Sequence, residues 1–263
     1  MDNKIEIGKF IGEAFTTYLK SLPSLFKNNW LLIAIIIVGC AIIGFFFIPH
    51  EGVEKRDLYE FPIWFYMPLS YLLYGYVFRY IINGTNQPMG LGGLYFNMPL
   101  AMIIASIILF GLVVGILGIA IGGIAMGLYS LMPTTITAVS LAIPIIMFMI
   151  WLSCRFITLM PYCFLHNKID FSAPFKQTRG NVLRIFIIFF VIVCITQLFH
   201  VIAMAIIVSG LAKIIGTSLS SALLGLVHVV AGYLPLVVTA LLYKHLKNLG
   251  DQNEKISRKK NAE

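Results

Sequence analysis

Residues 4–21, "KIEIGKFIGEAFTTYLKS", place Ile7, Phe10, Ile11, Ala14, Phe15, Tyr18 and Leu19 at i, i+3, i+4 spacing, with Glu6, Lys9, Glu13 and Lys20 opposite. That period predicts an amphipathic helix, with Pro23 and Ser24 marking its end. Two placements suit such a helix: flat in the headgroup layer with its apolar face down, or packed as a cap on the end of a bundle. From Trp30 onward the pattern changes from periodic to almost uniformly apolar. Apolar runs at about 30–49, 61–82, 98–126, 136–160, 182–209 and 221–243 each match or exceed the roughly 20 residues that span hydrocarbon. The third, near 29 residues, is longer than a crossing needs and is expected to tilt or protrude. No segment alternates apolar and polar with period two, which excludes a membrane β-barrel. The expected fold is all-α, a six-helix integral membrane bundle with an N-terminal amphipathic interfacial helix. Its expected parts are a cytoplasmic amphipathic segment at 1–29, a membrane domain at 30–243 and a basic cytoplasmic tail at 244–263.

Composition agrees with this pattern. Charged residues are 11% of the chain and apolar residues 59%, whereas soluble domains carry about 25% charged residues. The formal charge of +8 does not point to nucleic acid, because the cations sit at the ends of apolar runs, where Lys and Arg meet headgroups. The expected partners are membrane lipids with anionic headgroups. With the N-terminus inside, 16 of the 19 Lys and Arg fall on cytoplasmic segments, leaving out Lys55, Arg56 and Lys213. That asymmetry predicts both termini in the cytoplasm. The first apolar run has no small-x-small site after it, so it is expected to stay as a membrane helix.

Catalytic chemistry finds little support. No Asp, Glu, Lys or Arg lies in the middle of any span, and no HExxH is present. "GLGG" at 90–93 lacks the Lys-Ser/Thr of a phosphate loop, and "IVSG" at 207–210 lacks the first glycine of the rhomboid GxSG. The "NGT" at Asn83 falls on the cytoplasmic side, where it is not a glycosylation acceptor. Four scattered cysteines make neither a disulfide nor a zinc framework. The expectation is no enzyme, no catalytic residue, no metal and no cofactor.

Two features remain. Gly111/Gly115, Gly118/Gly122 and Gly123/Gly127 make GxxxG spacings in the third span, which predict a close-packed seam inside the bundle or between two copies. His200 and His228 lie at similar depth on consecutive spans, with Gln197 one turn deeper. They are expected to be satisfied by interhelical hydrogen bonds, or to form a paired polar site for a proton, a metal or a headgroup.

The most polar interior stretch is "MPYCFLHNKIDFSAPFKQTRGNVLRIF", residues 160–186. On the topology above it is a cytoplasmic connection. Asp170 or Ser172 is expected to cap a short helix, Gly180 to end it, and Asn181 to cap the fifth span. Arg155, Arg179 and Arg184 are expected to meet lipid phosphates. A span ending in Arg155, then Pro161, "APFKQTRGNVLRIF" at 173–186 and the closing "TALLYKHLKN" at 239–248 resembles the YciC-type bacterial multi-pass inner-membrane proteins. Those are related to the membrane domain of glycerophosphodiester phosphodiesterases. Asn167-Lys168 departs from the acidic pair usual there. Because the chain brings none of that catalytic domain's acidic residues, the resemblance implies a non-catalytic bacterial membrane protein in a group of mostly undefined molecular role. The expected function is envelope or membrane homeostasis by lipid or partner binding. The alternative is a small transporter or permease subunit using the His200/His228 region.

Overall fold

A computed structural model describes residues 4–46, 69, 72–87, 90–91, 98–131, 135–207 and 212–260. The described residues are predominantly helical, with no strand among them. The elements are α1 (Ile7–Asn28), α2 (Trp30–Phe46), α3 (72–83), α4 (Met98–Leu131), α5 (Thr135–Phe156), α6 (Leu159–His166), α7 (Ser172–Gln177), α8 (Val182–Ile206) and α9 (Ala212–Lys260).

α1 runs through Pro23 to Asn28, beyond the stop expected at Pro23-Ser24. The stop is made by Asn29, whose backbone N–H and side-chain amide both donate to the Leu25 carbonyl at 3.0 Å. The Asn29 carbonyl accepts from Ile33, so this one buried residue ends α1 and starts α2. The two helices meet at 83°. Phe10, Ala14 and Leu25 are buried on the α1 face turned to the bundle. α1 thus lies crosswise to α2 and covers the end of the bundle.

Ile143–His166, Val182–Ile206 and Ile214–Gly250 are each long and apolar enough to cross a membrane, and the bent α1–α2 pair adds a fourth if counted as one span. This is a helical membrane protein. Of the run expected at 61–82, residues 69 and 72–82 are described and the latter form most of α3; 61–68, 70–71 and the loop at 50–60 lie outside the described residues. The run expected at 98–126 lies within the 34-residue α4. The run at 136–160 does not end as a single rod: α5 stops at Phe156, and α6 restarts at Leu159 after a turn.

α9 is the centre of the fold. In its most apolar window 67% of the residues are buried, against 22% in α8. Gly216 breaks its first turn at φ 79°, a conformation open to glycine at no steric cost. The helix then continues to Lys260, so the segment from 244 on extends α9. In hydrocarbon, helices gain little from apolar burial alone and associate through close packing and hydrogen bonds. The α2–α9 contact uses both. A Cβ on Gly44 would lie 2.6 Å from Ser221 Oγ, and one on Gly225 would lie 2.8 Å from Cys40 Sγ. Thr217 Oγ1 donates to the Gly44 carbonyl at 3.1 Å, and Ser218 Oγ to that of Ala41 at 2.8 Å.

The glycines of α4 behave differently. At Gly111, Gly115, Gly118, Gly122, Gly123 and Gly127 an added Cβ would meet nothing within 4 Å. The close-packed seam expected of them inside the bundle is therefore not made among the described residues. It lies between α2 and α9, where hydroxyls of one helix reach carbonyls of the other.

Candidate functional site

The end of the bundle covered by α1 collects the starts of α2 and α8, the ends of α3 and α5, and the middle of α9. Tyr18 donates to the Val230 carbonyl at 3.0 Å, and Lys244 to that of Ile81 at 3.2 Å. Ser24, Asn28, Tyr76 and Asn86 share a hydrogen-bonded cluster, in which Tyr76 donates to Ser24 at 2.7 Å and Asn28 to Asn86 at 2.8 Å. His245 Nε2 lies 2.9 Å from Glu13 Oε2, joining α9 to α1. Nothing in the one-dimensional pattern marked these joints, because each pairs residues more than fifty positions apart.

The polar stretch at 160–186 packs against this end. Asn167 closes α6 in the left-handed conformation, φ 48°, which asparagine tolerates better than most residues. That conformation gives Asn167 a structural reason. Asp170 Oδ1 accepts from the Ser172 backbone at 2.9 Å and from its hydroxyl at 2.7 Å. Those bonds, the hydroxyl's first, hold the Asp170 carboxyl below its ordinary range. The joint is therefore present at neutral pH and lost as pH falls through the lowered pKa. Gly180, at φ 80°, turns the chain after α7.

The three arginines divide. Arg155 donates from Nη1 to the Phe175 carbonyl at 3.1 Å and to Thr178 Oγ1 at 3.3 Å. Its guanidinium lies 5.4 Å from the Trp151 ring centroid and 5.7 Å from that of Phe175. Hydrogen bonds to charged groups contribute about 1.5–3 kcal/mol and cation–π contacts about 0.5–2. One lipid-facing cation gains about 1 kcal/mol. The internal partners win, and Arg155 staples α7 to α5. Arg184 Nη1 donates to the Ile5 carbonyl at 2.8 Å, while Asn181 Oδ1 accepts from the Ile5 N–H at 3.1 Å. Asn181 makes no side-chain cap for α8; it and Arg184 clamp the N-terminal strand of chain instead. Arg179 is exposed.

Toward the other end of the bundle, His200 of α8 and His228 of α9 make ring contact, centroids 4.9 Å apart at 41°. His228 Nδ1 lies 2.6 Å from the Leu224 carbonyl, a bond in which the imidazole N–H donates. Both ring nitrogens of His200 are buried with no hydrogen-bond partner, as is Thr196 Oγ1 one turn earlier. The rings meet at a tilt, and the interhelical hydrogen bonds expected to satisfy His200 are not made. Gln197 is exposed on α8 and does not join the pair. Among the described residues no group of three or more His, Cys, Asp or Glu is arranged to hold a metal ion.

No protein-family model, curated protein or solved structure matches this chain.

Proposed function

We propose that this is a non-catalytic, six-span protein of the bacterial inner membrane, of YciC type, with both termini cytoplasmic. It serves membrane or envelope homeostasis by binding anionic lipid, or a partner, at its basic end. The observation that carries this reading is the set of exposed cations on and beside α1 and α7: Lys9, Lys20, Lys27, Lys168, Lys176 and Arg179. Each cation near an anionic surface contributes about 1 kcal/mol, and these six are open to solvent or headgroups. Arg155 and Arg184 support the surface from beneath by holding α7 and the N-terminal segment in place.

Binding to nanodiscs of phosphatidylglycerol and of phosphatidylcholine tests the proposal. Replacing Lys20, Lys27, Lys176 and Arg179 together with Gln is expected to remove most of the anionic preference, which salt also weakens. Arg155→Gln is expected to lower thermal stability while leaving that preference in place. A quadruple variant with full preference ends the lipid-binding reading. Topology is checked separately with an impermeant thiol reagent on intact cells, in a cysteine-free background. Ser130→Cys is expected to react and Lys168→Cys not to; reaction at 168 overturns the six-span arrangement.

A second reading, a small transporter or permease subunit, rests on the buried His200–His228 contact. It predicts a proton flux in proteoliposomes, read by an internal pH dye, that His200→Leu abolishes.

A further inference from the structure

We infer that the wedge between the α5–α6 break, α8 and α9 is a binding site for a single lipid acyl chain. This goes beyond the headgroup surface proposed above and does not depend on it. The cavity holds about 250 Å³ and is walled by four parts of the fold: Tyr74 of α3, Ser153 and Phe156 of α5 with Leu159 and Met160 of α6 across the break, Phe189 of α8, and Pro235, Leu236 and Thr239 of α9. It exists because α5 ends at Phe156 and α6 restarts at Leu159. That turn holds the chain off α8 where a continuous helix could pack.

The two aliphatic hydroxyls in the wall are turned to their own helices. Ser153 Oγ donates to the Met149 carbonyl at 2.8 Å, and Thr239 Oγ1 to the Pro235 carbonyl at 2.9 Å. A water needs about two to four polar partners, and apolar cavities of about 150 Å³ stay dry and take hydrocarbon. The larger wedge here offers carbon surface that water does not suit, and leaving it empty forfeits dispersion contacts along every wall.

The occupant follows from position and width. Ser153 at the mouth is exposed, and Phe190, beside the Phe189 wall, is 60% exposed. Both lie on helices long and apolar enough to cross a membrane, whose windows are only 22% buried, so in a bilayer their outward faces meet acyl chains. A helix of a second copy is about 10–12 Å wide with its side chains and does not enter a wedge of this volume. A single file of methylenes does.

The test uses the full chain in nanodiscs doped with phospholipids carrying a photoreactive diazirine in one acyl chain, with adducts mapped by peptide mass spectrometry. Adducts are expected to concentrate at 153–160, 189 and 235–239, equally for phosphatidylcholine and phosphatidylglycerol probes. Ser153→Phe at the mouth, and Met160→Phe on the inner wall as a second filling variant, are each expected to reduce labelling there. Excluding about two methylenes lowers occupancy about tenfold. Leu198→Phe on the exposed face of α8 is expected to change nothing. Labelling spread evenly over all lipid-facing helices overturns the site, as do undiminished adducts in both filling variants or crosslinks between wedges of two copies. Wedge labelling equal for both headgroups, together with a full anionic preference in the quadruple Gln variant, refutes the headgroup reading alone.

Discussion

In α2 and α9 the small residues Cys40, Gly44, Ser221 and Gly225 lie where two helix backbones meet. In α4 six glycines at the same four-residue spacing meet nothing within 4 Å. Both rows satisfy the rule that small residues permit close approach in lipid. The difference is what the neighbour offers. α9 brings Thr217 and Ser218, whose hydroxyls reach carbonyls of α2. The α4 row is flanked by Leu112, Ile116, Ile119 and Met126, all exposed. Small-residue spacing therefore states a permission, and a complementary donor on the facing helix decides whether it is used.

The largest expected effect breaks the used seam. Gly44→Leu would place its Cβ 2.8 Å from the Thr217 carbonyl, a backbone atom that cannot swing away. Overpacking costs about 1–3 kcal/mol even where side chains can adjust, from a total of about 5–15. The expected result is loss of the monodisperse folded protein in detergent, checked by size exclusion and thermal unfolding. Gly225→Leu is expected to be milder, since the nearest atom is the Cys40 sulfur at 2.8 Å. An unchanged melting temperature for Gly44→Leu would dissolve the distinction between the rows.

A swap across the same contact sharpens it. Gly44→Ala alone is expected to lower the melting temperature. Adding Ser221→Gly removes the Oγ and Cβ that clash at 2.6 and 2.8 Å but leaves the Thr217 carbonyl, so the double variant recovers in part. Contacting pairs couple by about 0.5–3 kcal/mol; purely additive losses would show that the two residues do not touch. Smaller again are Thr217→Val and Ser218→Ala, each expected to cost about 0.6 kcal/mol in keeping with hydrogen bonds between membrane helices.

The all-helical membrane character was legible because it depends on runs of one kind of residue, and such runs are local. So was the short helix after Asp170, since an Asp-x-Ser turn and Gly180 act within a few positions. The partner of a side chain was not. Arg155 and Arg184 looked like lipid anchors because a cation at a span end has that role by default, and their true acceptors, Phe175 and Ile5, are 20 and 179 residues away. Asn181 carried a cap signal that the Ile5 N–H outbids. Cys40-x-x-x-Gly44 and Ser221-x-x-x-Gly225 were readable as small-residue pairs, yet three glycine pairs in α4 gave the louder version of that signal.

The smallest expected effect lies on the unused row. Gly115→Leu and Gly122→Leu add side chains into space that holds no described neighbour, and substitutions away from contacts usually stay within about 0.5 kcal/mol. Leucine also favours the helix more than glycine does. The melting temperature of the monomer is therefore expected to hold or rise slightly. The same variants ask whether the row serves a second copy, because a leucine at the centre of a GxxxG contact keeps two helices apart. Cysteines introduced at Leu112 and Ile119, beside the row, report that contact by disulfide formation between copies in the membrane. Crosslinking that Gly115→Leu abolishes, at unchanged monomer stability, assigns the α4 row to a homodimer. No crosslinking, or crosslinking indifferent to the substitution, leaves the row facing lipid, and the α2–α9 contact then stands as the tighter of the two by composition and by use.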